Sequence, residues 1–254
     1  MGQNFLVDPE VVASIVATAG VKPGDAVVEI GPGMGVLTEQ LLDAGARVTG
    51  VELDDQLADL LRAEWSAHPN FRLVERDARH VDVAAIAGGE PYVVVANLPY
   101  SVATVVIRHF VEAASPPTSL TVMVQREVAE RMTATQGEMS LLGLATQYYT
   151  DARIAFIVPP EVFLPPPKVE SAVVSMRMRD TFPLDAPARD RMFALATMAF
   201  QRKRKTIANG LAQGLGRPRA TVEAEIAALG IDPGLRPQSL TVDDWVLLAT
   251  GVVS

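Results

Sequence analysis

The sequence predicts an α/β fold: a parallel sheet covered on both faces by helices, followed by a small all-helical domain. Apolar strand-length runs alternate with helical patterns through the first two thirds, which implies parallel strands joined by crossover helices. A late pair of strands, joined by a proline-rich loop, suggests an antiparallel finish. After Asp180 only helical patterns remain, so the boundary is set at 1–180 and 181–254.

Each element has a local cause. Asp8 caps a helix that Pro9 opens and that runs to Ala19. Strand Ala26–Ile30, helix Val36–Ala44, strand Arg47–Leu53 and helix Asp55–Trp65 follow. Strand Phe71–Glu75 leads to a short helix near Val83, then strand Tyr92–Ala96, helix Val102–Ala114 and strand Leu120–Gln125. A helix from Glu127 and another ending near Tyr149 precede strands Arg153–Val158 and Ala172–Arg179. The C-terminal helices are Ala186–Phe200, Lys205–Gln213, Ala220–Leu229 and Val242–Gly251.

Composition narrows the class. In 254 residues, 49% are hydrophobic, which supports a large core and excludes disorder. No apolar run reaches the roughly 18 residues a bilayer span requires. The N-terminus lacks a basic stretch followed by an apolar one, so no secretion signal is read and a cytoplasmic location is expected. There are no cysteines, and His68, His80 and His109 are scattered, so no metal is expected. The net charge of −8 argues against a nucleic-acid partner, but Arg202-Lys203-Arg204-Lys205 is an unbroken basic run. Alone, such a run is ordinarily a solvated helix face.

The first strand ends in Glu29-Ile-Gly31-Pro-Gly33-Met-Gly35. These glycines let the backbone turn tightly and approach a ligand closely, ahead of a helix whose free amides favour a carboxylate. The dinucleotide spacing Gly-x-Gly-x-x-Gly fails, because Val36 follows Gly35, so a nucleoside without pyrophosphate fits better. Glu52 ends the second strand, where a carboxylate can take both ribose hydroxyls. Asp77 follows the third, where it can accept from an adenine amino group. Singly, each acid is more often a cap or a solvated residue. In register after successive strands, the trio describes S-adenosylmethionine.

Asn97-Leu98-Pro99-Tyr100 ends the fourth strand. An exocyclic amino nitrogen is a poor nucleophile because its lone pair is delocalised into the ring. The Asn97 side-chain oxygen and the Leu98 carbonyl can accept its two N–H bonds and favour a pyramidal nitrogen. Pro99 fixes the backbone so that both acceptors converge, and Tyr100 offers a face for an extruded base. The tetrapeptide alone could be a proline turn; behind a nucleoside pocket it reads as the corner that aligns an in-line methyl transfer.

These motifs resemble the ribosomal RNA adenine dimethylases over essentially the whole chain. The resemblance rests on Gly2-Gln-Asn-Phe-Leu6, Glu29-Ile-Gly-Pro-Gly33, Val51-Glu-Leu-Asp54, Asp77-Ala78, Asn97-Leu-Pro-Tyr-Ser101 and Val124-Gln-Arg-Glu-Val-Ala-Glu-Arg131. It continues in Phe163-Leu-Pro-Pro-Pro-Lys-Val-Glu-Ser171, Lys203-Arg-Lys-Thr206 and Leu240. It implies a Rossmann-like class I S-adenosylmethionine methyltransferase sheet with a helical RNA- or ribosome-binding domain. The implied activity is dimethylation at N6 of two adjacent adenosines in the 3′-terminal hairpin of small-subunit ribosomal RNA, within the immature subunit, by a monomer. By position, Asn4, Leu6, Gly31, Gly33, Glu52, Asp77 and Asn97 match cofactor contacts. Asn97, Leu98, Pro99 and Tyr100 match the target-base site, and Phe163 matches the aromatic that sandwiches the base opposite Tyr100.

The family usually carries a lysine- and arginine-rich leader ahead of Gly-Gln-Asn-Phe-Leu, whereas this chain starts at that motif. The segment Gln136–Gly143 is about two residues shorter than the family loop and lacks its tyrosine. Phosphate grip is assigned to Arg202, Lys203, Arg204 and Lys205. The alternatives are a large-subunit adenine methylase of the macrolide-resistance type and a non-catalytic assembly factor. The Phe163–Ser171 loop weighs against the first, and intact Asn97, Tyr100, Glu52 and Asp77 weigh against the second.

Overall fold

The structure, a computed structural model, describes residues 4–98 and 102–252. The elements in order are β1 (Phe5–Leu6), α1 (Pro9–Ala19), β2 (Ala26–Ile30), α2 (Val36–Asp43), β3 (Arg47–Glu52), α3 (Asp55–Trp65), β4 (Phe71–Glu75) and α4 (Val83–Ala87). Then come β5 (Tyr92–Asn97), α5 (Ala103–Val111), β6 (Ser119–Gln125), α6 (Arg126–Met132), α7 (Leu141–Tyr149), β7 (Thr150–Val158), β8 (Phe163–Leu164) and β9 (Ser171–Met178). The chain closes with α8 (Ala186–Phe200), α9 (Ile207–Leu215), α10 (Arg219–Ala228) and α11 (Val242–Gly251).

The chain forms two compact units. The first holds residues Met1–Glu130 and Thr150–Met178, built on a seven-stranded sheet in the order β4-β3-β2-β5-β6-β9-β7. From β4 to β6 the neighbours are parallel; β9 and β7 add an antiparallel edge. This is the Rossmann-like α/β sheet expected from the alternation. The order reverses between β2 and β5, which pair with Ile30 opposite Ala96. Open α/β sheets bind ligands outside the carboxyl ends of strands at such a reversal.

Local chemistry sets the helix ends. The Asp8 carboxylate accepts the Glu10 and Val11 amides at 2.9 and 3.1 Å, and Gly20, at φ +65°, stops α1 in the left-handed conformation. Asp54 caps α3 in the same way through Gln56 and Leu57. The core beneath the sheet joins Val12 and Ile15 of α1 to Leu41 of α2, Val48, Val95 and Met123.

The second unit holds Arg131–Tyr149 and Arg179–Ser254. It thus differs from the sequence boundary at 180 by taking in α7. The reason is aromatic packing: Tyr148 stacks on Phe182, and Tyr149 on Phe193, at centroid distances of 5.9 Å each. The Arg179 amide also donates to the Tyr149 carbonyl at 2.9 Å. A helix of covering type reads alike in sequence whichever unit it joins. Trp245 is fully buried against Phe200, and a Cβ on Gly210 would stand 3.6 Å from the Ala199 backbone, so α8 and α9 cross closely.

Candidate active site

The loop Gly31–Gly35 leaves β2 with all three glycines at positive φ, +68°, +61° and +81°, which side chains rarely adopt. The Gly31 amide donates to the Val51 carbonyl at 2.9 Å. A Cβ on Gly31 would stand 3.8 Å from the Asn97 carbonyl, so the glycine loop and the end of β5 lie side by side. The Phe5 ring packs over Gly33, 3.6 Å from where a Cβ would be. Gly35 precedes α2 with no side-chain cap, which leaves amides of the first turn for an anion.

Glu52 is nearly buried, at 6% exposure. One carboxylate oxygen, Oε1, accepts the Leu53 and Asp54 amides at 2.8 and 3.0 Å; the other, Oε2, accepts Gly33 N–H at 3.1 Å. The charge is fixed by backbone donors and keeps one lone-pair direction for a hydroxyl. Leu53 beside it is 62% exposed, an apolar surface of the kind a purine face covers.

Asp77 lies beyond β4, as expected, but it is held by a residue that sequence reasoning missed. Arg79 Nε and one of its terminal nitrogens grip both carboxylate oxygens at 2.6–3.0 Å, and the Arg79 amide adds a bond at 2.9 Å. The Arg79 side-chain bonds first, then its backbone bond, pull the Asp77 pKa down to about 2. The neighbouring Ala78 N–H has no hydrogen-bond partner among the described residues.

Asn97 ends β5 opposite Met123, whose carbonyl accepts Leu98 N–H at 3.1 Å. Neither the Asn97 side chain nor the Leu98 carbonyl is hydrogen-bonded among the described residues. The Leu98 side chain is buried and anchors the corner. Pro99 and Tyr100 lie outside the described residues.

The N-terminal motif joins the site through a two-stranded ladder, with Leu6 opposite Phe163 and Phe5 opposite Leu164. Phe163 is only 4% exposed and packs in the core cluster with Leu6, Met123, Val158 and Val173. Leu6 is buried there too, so any contact it makes with a ligand is through its backbone. Asn4, next to the ladder, is half-buried.

A second missed residue is Glu29, buried in β2, where Thr38 Oγ1 donates to its Oε2 at 2.6 Å. Burial is the main cause that raises its pKa to about 8; the Thr38 bond opposes this, and the charge of Glu52 adds to it. Its signal was an acid inside an apolar strand two residues ahead of the first glycine.

The basic run divides by role. Arg202 Nε donates to the Gln213 side chain, and NH1 to the Met198 carbonyl in the last turn of α8, each at 3.1 Å. Lys203, Arg204 and Lys205 are exposed in the turn before Thr206, which caps α9.

A glycine loop, acids at the end of β3 and after β4, and two carbonyls at the end of β5 without partners among the described residues line the carboxyl edge of a Rossmann-like sheet, that of a methyltransferase, and these residues fit S-adenosylmethionine as its methyl donor. The family model described as ribosomal RNA adenine dimethylase matches residues 1–250. A ribosomal RNA small subunit methyltransferase A from Dehalococcoides mccartyi is 41% identical over 246 residues, covering 96% of this chain and 84% of that one. One of the same description from Enterococcus faecalis is 36% identical, covering 99% and 89%. The crystal structure of the 23S rRNA methyltransferase ErmE superposes at a TM-score of 0.76 with 31% identity, covering 97% and 98%. A dimethyladenosine transferase from Plasmodium falciparum shares the fold at a TM-score of 0.80 and 23% identity, covering 96% and 95%. The chain belongs to the ribosomal RNA adenine dimethylase family.

Proposed function

We propose that this chain dimethylates N6 of two adjacent adenosines in the 3′-terminal hairpin of small-subunit ribosomal RNA, acting as a monomer on the immature subunit in the cytoplasm. The observation that carries the reading is the pair of acceptors at the end of β5, the Asn97 amide oxygen and the Leu98 carbonyl, which have no hydrogen-bond partner among the described residues. They stand beside a glycine loop whose Gly31 faces the Asn97 backbone.

Bound S-adenosylmethionine supplies a methyl group on a sulfonium centre. Glu52, through its remaining lone pair, would hold a ribose hydroxyl, Asp77 and the Ala78 amide would read the adenine edge, and the first-turn amides of α2 would take the carboxylate. Asn97 Oδ1 and Leu98 O accept the two N6 hydrogens of the target, which turns its lone pair out of the ring plane. Among the described residues no side chain is needed as a strong base: once the methyl is on nitrogen its proton is acidic and passes to solvent water. The term supplied by the protein is alignment. Phe163, being buried, backs the base pocket rather than offering an open stacking face. The helical unit supplies the ribosomal grip through Lys203, Arg204 and Lys205.

The small-subunit reading is preferred over the large-subunit one because the relatives at 36–41% identity are described as small-subunit enzymes, whereas ErmE stands at 31%. Labelled S-adenosylmethionine offered with immature small subunits, large subunits and duplex DNA tests this. Label should enter small-subunit RNA as dimethyladenosine. Label in large-subunit RNA alone, or in none, overturns the reading.

A further inference from the structure

Leu164 is the most exposed large apolar side chain among the described residues, at 65%. A single exposed leucine needs no account, but three observations set this one apart. Its place is the rim of the site: its ladder partner Phe5 packs on Gly33 of the glycine loop. Its direction is fixed, because side chains alternate along a strand and Phe163 beside it is locked in the core. Its backbone is held on both sides. Val7 N–H donates to the Val162 carbonyl at 2.9 Å before it, and Pro165-Pro166-Pro167 restrict φ after it. Beyond the prolines, Arg126 holds the returning chain, its side chain on the Glu170 carboxylate at 2.7 Å and its amide on the Glu170 carbonyl at 3.0 Å.

The surroundings match one kind of partner. Val7, bonded to Val162 beside the ladder, is 52% exposed, and farther along the same loop Val169 is 45% exposed and Lys168 is an exposed cation. An apolar tip that cannot fold back, with a cation close by in sequence, suits a stack of bases flanked by phosphates. We infer that Leu164 is a wedge that enters the RNA base stack at the place the target adenosine vacates, and so holds that base extruded toward Asn97. This rests on the reading of Asn97 and Leu98 as the target-base site. Extrusion costs unstacking energy, and an apolar side chain in the gap keeps water from the exposed faces of the neighbouring bases. Leu164 is therefore a positioning residue, without contact with the reacting atoms.

The test uses immature small subunits whose 3′-terminal hairpin carries 2-aminopurine at the target adenosine, with S-adenosylhomocysteine present. Wild type and Leu164→Met should bind them, by anisotropy, and raise the 2-aminopurine fluorescence. Leu164→Asn, similar in size but polar, should bind S-adenosylmethionine and fold as wild type does, yet give less than a fifth of the rise. Its transfer to the unmodified hairpin should fall on the order of tenfold. Transfer to a hairpin with an abasic neighbour, where the target is already unstacked, should be near wild type. Equal fluorescence for all three proteins on bound hairpin, or an equal loss on both RNAs, overturns the wedge and leaves the target site standing. Failure of wild type to methylate the unmodified hairpin in the immature subunit removes the target-site reading, and the wedge with it.

Discussion

The Glu52 carboxylate accepts the Gly33 N–H at 3.1 Å, so the end of β3 is tied to the middle of the glycine loop before any ligand is considered. The acid that would bind ribose also sets the loop that would bind the methionine portion. Glu52→Gln keeps the shape but loses the charge, and Glu52→Ala loses both. The alanine variant should lower S-adenosylmethionine affinity by about 1–3 kcal/mol, the scale of a charge-assisted hydrogen bond, with glutamine in between. Calorimetry reads this directly, and unchanged affinity would remove the assigned pocket.

Asn97→Ala should abolish methyl transfer while leaving cofactor affinity within about twofold, a change of ~0.4 kcal/mol. Its amide has no partner among the described residues, so truncation breaks no hydrogen bond among them and stability should hold. Single-turnover transfer beside a binding isotherm separates the two effects. Transfer near the wild-type rate would sink the alignment mechanism.

If Asp77 accepts the adenine amino group as proposed, Arg79 competes with it, because its bonds already engage both Asp77 oxygens. The pair is partly exposed and screened by solvent, so the competition is weak. Arg79→Leu should let the Asp77 carboxyl titrate closer to its usual 3.8 and should tighten S-adenosylmethionine about two- to fivefold. Weaker binding would mean that Arg79 holds the carboxylate in place for the ligand.

Glu29 makes stability depend on pH. Its folded-state pKa of about 8 lies above the usual 4.5, so the native protein binds the proton more tightly than the unfolded chain. The contribution is fully present below about pH 4.5 and is lost as pH rises through 8, at roughly 1.4 kcal/mol per unit. Glu29→Gln should flatten that decline. Urea unfolding at pH 5, 6.5 and 8 measures it, and parallel declines in both proteins would exclude Glu29 as the source.

The basic turn should show its role in salt. Lys203→Ala with Arg204→Ala should weaken binding to immature small subunits and flatten the salt dependence by about 0.7–0.9 log units per lost contact. Melting should stay unchanged. Arg202→Ala should instead lower the melting temperature, because its guanidinium ties Met198 to Gln213. An unchanged salt slope in the double variant would place the RNA surface elsewhere.

What the sequence disclosed follows from periodicity. β2, β3, β4 and β5 are apolar runs bounded by turns, and their register carried Gly31, Glu52 and Asp77 to one edge of the sheet. The ladder of Phe5–Leu6 with Phe163–Leu164 escaped because two residues have no period to detect, and its partners are far apart in the chain. The same two-residue parity decides that Phe163 points inward and Leu164 outward, which motif matching could not tell. Arg79 was illegible for a different reason: an i,i+2 ion pair on a turn leaves no pattern. The grouping of α7 depended on aromatic contacts with Phe182 and Phe193, and these exist only once the C-terminal helices have formed.

The short ladder has a kinetic consequence. It joins the first described residues to the loop ahead of β9 with few hydrogen bonds, and segments of that kind open far more often than the strands beneath them. Phe5 rides on that ladder and covers Gly33. Opening of this ladder lifts Phe5 from Gly33 while the seven-stranded sheet stays closed, so exchange of cofactor for product can be timed by a few local bonds rather than by the stability of the fold.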